Sequence, residues 1–185
     1  MLFNVSASLS IEKYQKALRF AAEAHEGQSI PGKNLSYLLH ITAVSFEVMQ
    51  AVNIREDVDR DLAVLCALLH DVIEDTLHTF NDISGQFGKQ VAEGVQALTK
   101  NDTIEKSERM ENSLNRIKKQ PKEIWMVKMA DRIVNLNPPP DFWNSEKIRS
   151  YYNEAKQIYE SLNAADSYLA DRLVLKIKEY KKYLK

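Results

Sequence analysis

The stretch from Leu62 to Thr76 constrains the fold more than any other part of the chain. It reads LAVLCALLHDVIEDT, an apolar run followed by His70-Asp71, two further apolar residues and Glu74-Asp75. Leu, Ala and Val are frequent and neither Gly nor Pro interrupts the run, which predicts a buried helix. On one continuous helix, His70 and Glu74 would be i,i+4 neighbours, with Asp71 and Asp75 in a parallel row. Because an unpaired charge near a core is costly, such groups usually pair, bind metal or change their pKa.

The rest of the sequence has the pattern of an all-α protein. Five glycines and five prolines among 185 residues, with apolar residues at three- and four-residue spacing, favour helices throughout. Ser10 is placed to cap a first helix ending near Gly27, and a second helix is predicted from Leu38. Further helices are predicted at these places: a short one capped by Thr79 or Asn81, then Val91 to Leu98, Thr103 to Lys119, Pro121 to Leu136, Ser145 to Leu162, and Ala165 to Leu184. We expect a single helical-bundle domain over residues 1–185.

Composition limits the partners that the chain can have. A formal net charge of −1 argues against bulk electrostatic attraction to nucleic acid or to an anionic membrane. No apolar stretch reaches the roughly 18 residues of a membrane span, and Met1 to Ser10 lack a signal-peptide pattern. The lone Cys66 lies inside the apolar run, where a core residue is favoured over a reactive thiol. We therefore expect a soluble cytoplasmic protein, for which a homo-oligomer remains open.

Ligand-type side chains occur at three separated places in otherwise apolar helices. These are His40, the His70-Asp71 pair and Asp131. Imidazole and carboxylate in this mixture suit a divalent first-row metal such as Mn, Fe or Zn. The acidic pair one turn beyond Asp71, and Asn135 one turn beyond Asp131, add to the case for a site that binds a polyvalent cation.

Each of these residues also has a plainer explanation when it is considered alone. His40 could be a hydrogen-bonded, partly buried histidine, and a lone His-Asp dipeptide often arises by chance. Asp131 could pair with Arg132 or Lys128, which are near it in sequence. The combination of the three places, and no single residue, favours the metal site.

The same residues resemble the motifs of a known family. HITAV from His40, LLHDVIEDT over 68–76 and VKMADRIVNL over 127–136 are similar to the successive motifs of the HD-domain phosphohydrolases. More narrowly, they look like the hydrolase domain of the RelA/SpoT alarmone enzymes and their stand-alone relatives, the small alarmone hydrolases. AHEGQ over 24–28 and the spacing from Tyr37 to His40 match that branch, and the chain length is that of a stand-alone hydrolase.

The resemblance implies an HD-domain fold with a metal-dependent site. It implies one ion per chain, usually Mn²⁺ although another divalent metal is possible, held by His40, His70, Asp71 and Asp131. It also implies that Glu74 and Asp75 orient and deprotonate an attacking water, and that Asn135 helps to hold substrate. The implied reaction removes the 3′-pyrophosphate from a small nucleotide, (p)ppGpp, giving GDP or GTP and pyrophosphate.

The chain departs from this family in the loop between Gln28 and Tyr37. The family's loop normally carries an Arg-Lys pair that contacts the base and phosphates, whereas here SIPGKNLS is one residue longer and only Lys33 is basic. Ser36 and Ile41 replace prolines that usually precede the tyrosine and follow the histidine. Recognition of guanine therefore does not follow, and an adenine alarmone such as (p)ppApp is a competing substrate. Tyr37 is expected to pack against the ribose or base.

Substrate phosphates require cations or backbone N–H groups. The candidates in the sequence are Lys100, Lys106, Arg109 and Lys128, each of which could instead belong to a solvated helix face. Two other functions remain open: a phosphatase of the same class acting on a deoxynucleoside monophosphate or NADPH, and a catalytically silent nucleotide-binding module. The intact Glu74-Asp75 pair argues against the silent module.

Overall fold

A computed structural model describes residues 9–53 and 55–184, and within these ranges the secondary structure is helical without a β-strand. The prediction of an all-α fold is confirmed. The predicted absence of a signal peptide rests mainly on residues 1–8, which lie outside the described residues. The helices are α1 Ile11–Ala24, α2 Leu38–Val52, α3 Arg60–Leu69, α4 Val72–Asp75, α5 Phe80–Phe87, α6 Lys89–Leu98, α7 Arg109–Ile117, α8 Lys122–Asn135, α9 Ser145–Leu162 and α10 Ser167–Tyr180.

Side-chain caps begin several helices where the sequence predicts them. Ser10 accepts a hydrogen bond from the Lys13 N–H at the start of α1. Thr79 and Asp82 form a reciprocal capping box at the start of α5, so Thr79 rather than Asn81 is the cap. The bounds of α9 coincide with the predicted ones.

The predicted helix over Leu62 to Thr76 is interrupted. Helix α3 ends at Leu69, His70 and Asp71 form a turn, and α4 follows as a separate four-residue helix. Nδ1 of His70 lies 2.8 Å from the carbonyl oxygen of Ala67. That carbonyl is the acceptor that the N–H of residue 71 would use in an uninterrupted helix, so the imidazole competes with the backbone there.

The helix predicted from Thr103 begins later than expected, at Arg109. The side-chain oxygen of Asn101 accepts hydrogen bonds from both the N–H and the hydroxyl of Thr103, at 3.1 and 2.7 Å. A side chain that captures the following backbone in this way stabilises a turn. Residues 101–108 therefore connect α6 to α7 through turns.

Helix α3 lies at the centre of the fold. Every residue from Leu62 to Leu69 is buried, and the helix packs against α1, α2, α6 and α8. Cys66 belongs to this core, and burial raises the pKa of its thiol. Among the described residues, no helix combines the length and the apolar character needed to cross a bilayer. This packing brings the first turn of α2, the end of α3 and the last turns of α8 to one side of the molecule.

Gly94 is the position where α6 approaches this core most tightly. A Cβ atom there would lie 2.6 Å from Cδ1 of Ile124 and 2.8 Å from Sγ of Cys66. Overpacking should make Gly94→Ala less stable by about 1–2 kcal/mol, even after the gain of about 1 kcal/mol in helix propensity. Urea unfolding followed by circular dichroism measures the change.

Gly85→Ala is the matched control, because a Cβ on this exposed position of α5 meets no atom within 4 Å. Helix propensity alone should stabilise that variant by about 0.5–1 kcal/mol. Equal free energies of unfolding for the two variants would contradict the tight α6 contact.

Candidate active site

Three buried side chains from distant parts of the sequence converge at one side of α3. His40 lies in the first turn of α2, His70 directly follows α3, and Asp131 lies in α8. Their exposed fractions are 5%, 3% and 9%. One ligand atom from each lies within 4.8 Å of the others, so these three side chains could hold a metal ion.

The spacing of the donor atoms fits a single divalent ion. The Nε2 atoms of His40 and His70 are 3.2 Å apart, and Oδ1 of Asp131 lies 3.6 and 3.8 Å from them. Oδ2 of Asp71 lies 2.9 Å from Nε2 of His70 and 3.5 Å from Nε2 of His40. Since metal–ligand bonds are about 2.0–2.2 Å long, two ligands of one ion lie from about 2.8 Å apart at a right angle to about 4.4 Å apart at opposite positions. The donor set and its spacing therefore fit the group that the sequence predicts.

When its ring is neutral, His70 presents an unprotonated nitrogen to this group. Its Nδ1 lies 2.8 Å from the carbonyl oxygen of Ala67, which can only accept a hydrogen bond. Nδ1 therefore carries the proton in the neutral ring, and Nε2 keeps its lone pair on the side of Asp71 and Asp131. A histidine ligand is commonly oriented by such a hydrogen bond on its other nitrogen.

Neighbouring side chains fix the two carboxylates. Asp131 accepts from Nζ of Lys128 at 3.2 Å through Oδ2, and from Nδ2 of Asn135 at 2.5 Å through Oδ1. Asp71 accepts from the hydroxyl of Tyr37 at 2.5 Å. Of the two cationic partners that the sequence offers for Asp131, namely Arg132 and Lys128, it is Lys128 that makes the contact.

The two carboxylates and the imidazole of His70 change one another's pKa. Burial lowers the pKa of His70, but Asp71 and Asp131 outweigh burial and raise it to about 9. Burial raises the pKa of Asp71, but His70 and His40 more than reverse this and bring it well below its usual range. The pKa of Asp131 also falls, because Lys128 and His70 overcome the effect of burial. Both carboxylates are therefore ionised at neutral pH, as metal binding requires.

The acidic pair lies on α4, beside the metal-ligand candidates. Glu74 forms an ion pair with Nζ of Lys100 and also accepts from the Lys100 backbone N–H at 2.8 Å. Burial, together with repulsion from Asp71 and Glu74, raises the pKa of Asp75 to about 6. A carboxyl group with that pKa is ionised at neutral pH and remains able to accept a proton.

Two adjoining cavities surround these groups. The acidic cavity, of about 200 Å³, is lined by five carboxylates and three cationic side chains, namely Asp71, Glu74, Asp75, Asp131, Glu154, Lys100, Lys128 and Arg132. The loop cavity, of about 510 Å³, is lined by parts of segments 30–35 and 137–143 and by His40. Asn135 and Tyr151 line both cavities, so the metal-ligand candidates lie where the two meet.

The structure distributes the predicted substrate residues unevenly. Tyr37, Asn135 and Lys100 line the acidic cavity, and Lys33 lines the loop cavity. Arg109 lines neither cavity: its guanidinium donates to Asp102 at 2.5 Å and to the Ile104 carbonyl at 3.1 Å. Arg109 thus stabilises the turn before α7, and the structure does not bring it to the site.

Helix α9 supplies cavity residues that the sequence did not reveal. The guanidinium of Arg132 lies 4.0 Å from the centre of the Tyr151 ring, and its Nη2 donates to Glu154 at 3.2 Å. The helical spacing of Tyr151 in the sequence favours a core residue. A signal was nevertheless present, since an arginine next to a ligand-type aspartate in an apolar helix requires a partner elsewhere.

Comparison with known proteins identifies the family. A family model described as HD domain matches residues 17–167, and the chain belongs to the HD-domain family. Its relatives include guanosine-3′,5′-bis(diphosphate) 3′-pyrophosphohydrolase MESH1 of Xenopus tropicalis, 31% identical over 165 residues, covering 85% of this chain and 89% of that protein. MESH1 of Danio rerio is 27% identical over 163 residues, covering 85% of this chain and 88% of that protein.

A solved structure supports the same relationship. A protein described as a metazoan ortholog of SpoT that hydrolyzes ppGpp superposes with a TM-score of 0.79 at 26% identity, covering 94% of this chain and 98% of that one. The resemblance to the RelA/SpoT-type hydrolase branch is therefore confirmed.

Metal binding should become tighter as pH rises toward the pKa of His70. In the metal-free protein His70 is protonated below a pKa of about 9, whereas a metal ligand must be the neutral imidazole. Binding at pH 7 should therefore release about one proton, and affinity should rise by at most about tenfold per pH unit between pH 6.5 and 8. Isothermal titration with Mn²⁺ in two buffers of different ionisation enthalpy measures the protons released. Identical heats in both buffers would contradict this reasoning.

Proposed function

We propose that this protein is a metal-dependent nucleotide hydrolase that removes the 3′-pyrophosphate from (p)ppGpp, giving GDP or GTP and pyrophosphate. The observation that carries the proposal is the convergence of His40, His70 and Asp131 beside the Glu74-Asp75 pair. The activity printed in the names of the MESH1 relatives supports the choice of reaction.

We assign the metal ligands to the two imidazoles and two carboxylates whose spacing fits one ion, namely His40, His70, Asp71 and Asp131. We propose Mn²⁺ as the resident ion, because mixed nitrogen and oxygen donors suit a first-row divalent metal. When bound, a divalent ion lowers the pKa of a water molecule and polarises a phosphoryl oxygen.

Glu74 and Asp75 are proposed to orient the attacking water and to take its proton. The water oxygen forms a bond to the phosphorus attached to the 3′ oxygen, and the bond from that phosphorus to the 3′ oxygen breaks. The 3′ oxygen takes up a proton and becomes the 3′ hydroxyl of GDP or GTP, and the pyrophosphate leaves with the water oxygen. Asp75 has a pKa of about 6, so its carboxyl group is ionised at neutral pH. Because this pKa is near neutral pH, the group exchanges a proton readily. Lys100 holds the Glu74 carboxylate in a fixed position.

The two cavities match the two halves of such a substrate. We place the phosphates in the acidic cavity, where Lys100, Lys128 and Arg132 offset the carboxylates. We place the ribose and base in the larger loop cavity, where Lys33 is a cationic lining residue. The O–H of Tyr37 donates to Asp71, so this residue is available to the nucleotide through its ring and as a hydrogen-bond acceptor, but not as a donor.

An adenine alarmone such as (p)ppApp is the second candidate substrate. The observation that favours it is the loop after Gln28, because Lys33 is the only basic side chain in this loop, whereas the family's loop normally carries an Arg-Lys pair that contacts the base. The loop also approaches the proline segment, residues 138–140. A Cβ on Gly32 would lie 3.1 Å from Cβ of Pro140, which shows how closely the two segments pack. Deoxynucleoside monophosphates and NADPH are alternatives that would release orthophosphate instead of pyrophosphate.

A substrate panel tests the reaction. With Mn²⁺ present, ppGpp should release pyrophosphate, and ppApp, NADPH and dAMP should be turned over more slowly or not at all. EDTA should abolish turnover, and added Mn²⁺ should restore it. Pyrophosphate and orthophosphate are measured separately by ion chromatography. Release of orthophosphate alone would rule out the 3′-pyrophosphohydrolase reaction.

Substitution at Glu74 separates proton transfer from metal binding. Glu74→Gln should retain stoichiometric Mn²⁺ and lose about 10²–10⁴-fold in kcat, because the amide cannot accept the proton. Metal content by atomic absorption and steady-state kinetics give the two readouts. Undiminished turnover would remove Glu74 from the mechanism.

Two further variants serve as controls for the Glu74→Gln experiment. Asp71→Ala should lose both Mn²⁺ and turnover, and stoichiometric metal in it would refute that ligand assignment. Glu160→Gln makes the same change as Glu74→Gln on an exposed position of α9 and should match the parent protein.

A further inference from the structure

The acidic pair, Glu74 and Asp75, lies on a helix that is too short to be stable without contacts from other parts of the chain. Helix α4 has only four residues, Val72–Asp75, and a single helical turn in isolation is unstable because nucleation is costly. The carbonyls at the end of such a helix also lack intrahelical partners. Thr76 satisfies the first of them, since its hydroxyl donates to the Val72 carbonyl at 2.7 Å.

Gln28 satisfies the last of these carbonyls from a distant part of the chain. Its Nε2 donates to the main-chain oxygen of Asp75 at 2.8 Å, across 47 positions of sequence. The backbone of Gln28 is already anchored, because its N–H donates to the His25 carbonyl and its carbonyl accepts from Tyr37, both at 3.0 Å. Backbone hydrogen bonds thus close the loop, and the Gln28 side chain is available to form a hydrogen bond with α4.

His25 orients the Gln28 side chain. Because the Asp75 carbonyl can only accept, the amide nitrogen of Gln28 faces it and the amide oxygen faces Nδ1 of His25, at 2.8 Å. Nδ1 of His25 must then carry the proton. The ring is only 2% exposed, and burial lowers the pKa of His25, which agrees with a neutral ring in this tautomer.

The remaining contacts of His25 place it beside the site without making it a ligand. Its ring centre lies 5.0 Å from that of Tyr37, whose hydroxyl donates to Asp71. Its Nε2 is buried and has no hydrogen-bond partner among the described residues. The ring therefore contacts the protein through Nδ1 and through packing, and its polar contact leads to α4.

We propose that His25 and Gln28 are positioning residues that hold the carbonyl end of α4 and so keep Glu74 and Asp75 aimed at the reacting water. This inference rests on the hydrolase function proposed above. It also assigns a role to the AHEGQ segment, which contains both residues and lines neither the acidic cavity nor the loop cavity. A small displacement of a catalytic carboxylate is enough to slow a reaction strongly.

Gln28→Met tests this inference, because it keeps the side-chain length and removes both hydrogen bonds. It should lower kcat about tenfold to hundredfold and leave KM and Mn²⁺ affinity within about twofold of the parent protein. Gln28→Glu should be at least as slow, because its carboxylate accepts from His25 but cannot donate to Asp75. Gln50→Met, the same change on an exposed position of α2, should retain full activity.

Two substitutions at His25 supply a rescue test. His25→Asn places an amide N–H near the former position of Nδ1 and should keep most of the activity, whereas His25→Leu should reproduce the Gln28→Met defect. Urea unfolding of each variant shows whether its global stability is retained. If Gln28→Met has unchanged kcat, or loses Mn²⁺ affinity in proportion to kcat, the positioning role is wrong.

Hydrogen exchange gives a readout that does not depend on turnover. In the holoprotein, amides of residues 72–76 should exchange at least about tenfold faster in Gln28→Met than in Gln50→Met, with the amides of α8 unchanged. Equal exchange in residues 72–76 would overturn the inference. If the parent protein hydrolysed no nucleotide, the proposed function would fail, and the exchange comparison would still decide whether Gln28 holds α4.

Discussion

Two buried imidazole nitrogens held 3.2 Å apart, with two carboxylates beside them, are the arrangement on which the rest of this structure depends. Such a group is costly inside a protein unless its charges are compensated. The carboxylates raise the pKa of His70, and the imidazoles lower the pKa of Asp71. This mutual compensation stabilises the group in the metal-free protein. It also leaves an arrangement that a divalent cation can satisfy, because the cation supplies positive charge in place of the imidazole proton.

The apolar core explains why the arrangement can exist. Each residue of α3 from Leu62 to Leu69 is buried against neighbouring helices, so the position of His70 at its end is fixed by packing. Because of the turn at His70-Asp71, the metal-ligand candidates and the acidic pair are positioned in different ways. The metal-ligand candidates lie on or next to long helices, whereas the acidic pair lies on α4, whose position depends on side chains from other elements. Gln28 and Lys100 make those contacts.

The sequence predicts those features of the fold, such as helix positions and caps, that depend on residues close together in the chain. Apolar periodicity locates most helices, and Ser10 and Thr79 begin the helices for which they are suited. The ligand-type residues stand out because they interrupt apolar helices. The break at His70 depends on a side chain that takes a backbone carbonyl, and the Arg132 partners come from α9. Contacts of that kind leave no periodic trace in the sequence, and for the same reason the placement of Arg109 could not be predicted.

The division of the cleft into two cavities has a consequence for specificity. Eight charged side chains line the acidic cavity, where the reaction is proposed to occur, while the loop cavity is bounded by the segments 30–35 and 137–143 and has Lys33 and Asp141 as its charged lining residues. Within residues 9–53 and 55–184, the loop cavity meets the surroundings of the metal-ligand candidates at His40, Asn135 and Tyr151. The loop can therefore change length and lose a basic residue without moving a metal-ligand candidate, because His40 is anchored in α2. With the base placed in the loop cavity, as proposed, a change in the loop alters the choice of base and leaves the metal-ligand candidates and the acidic pair in position.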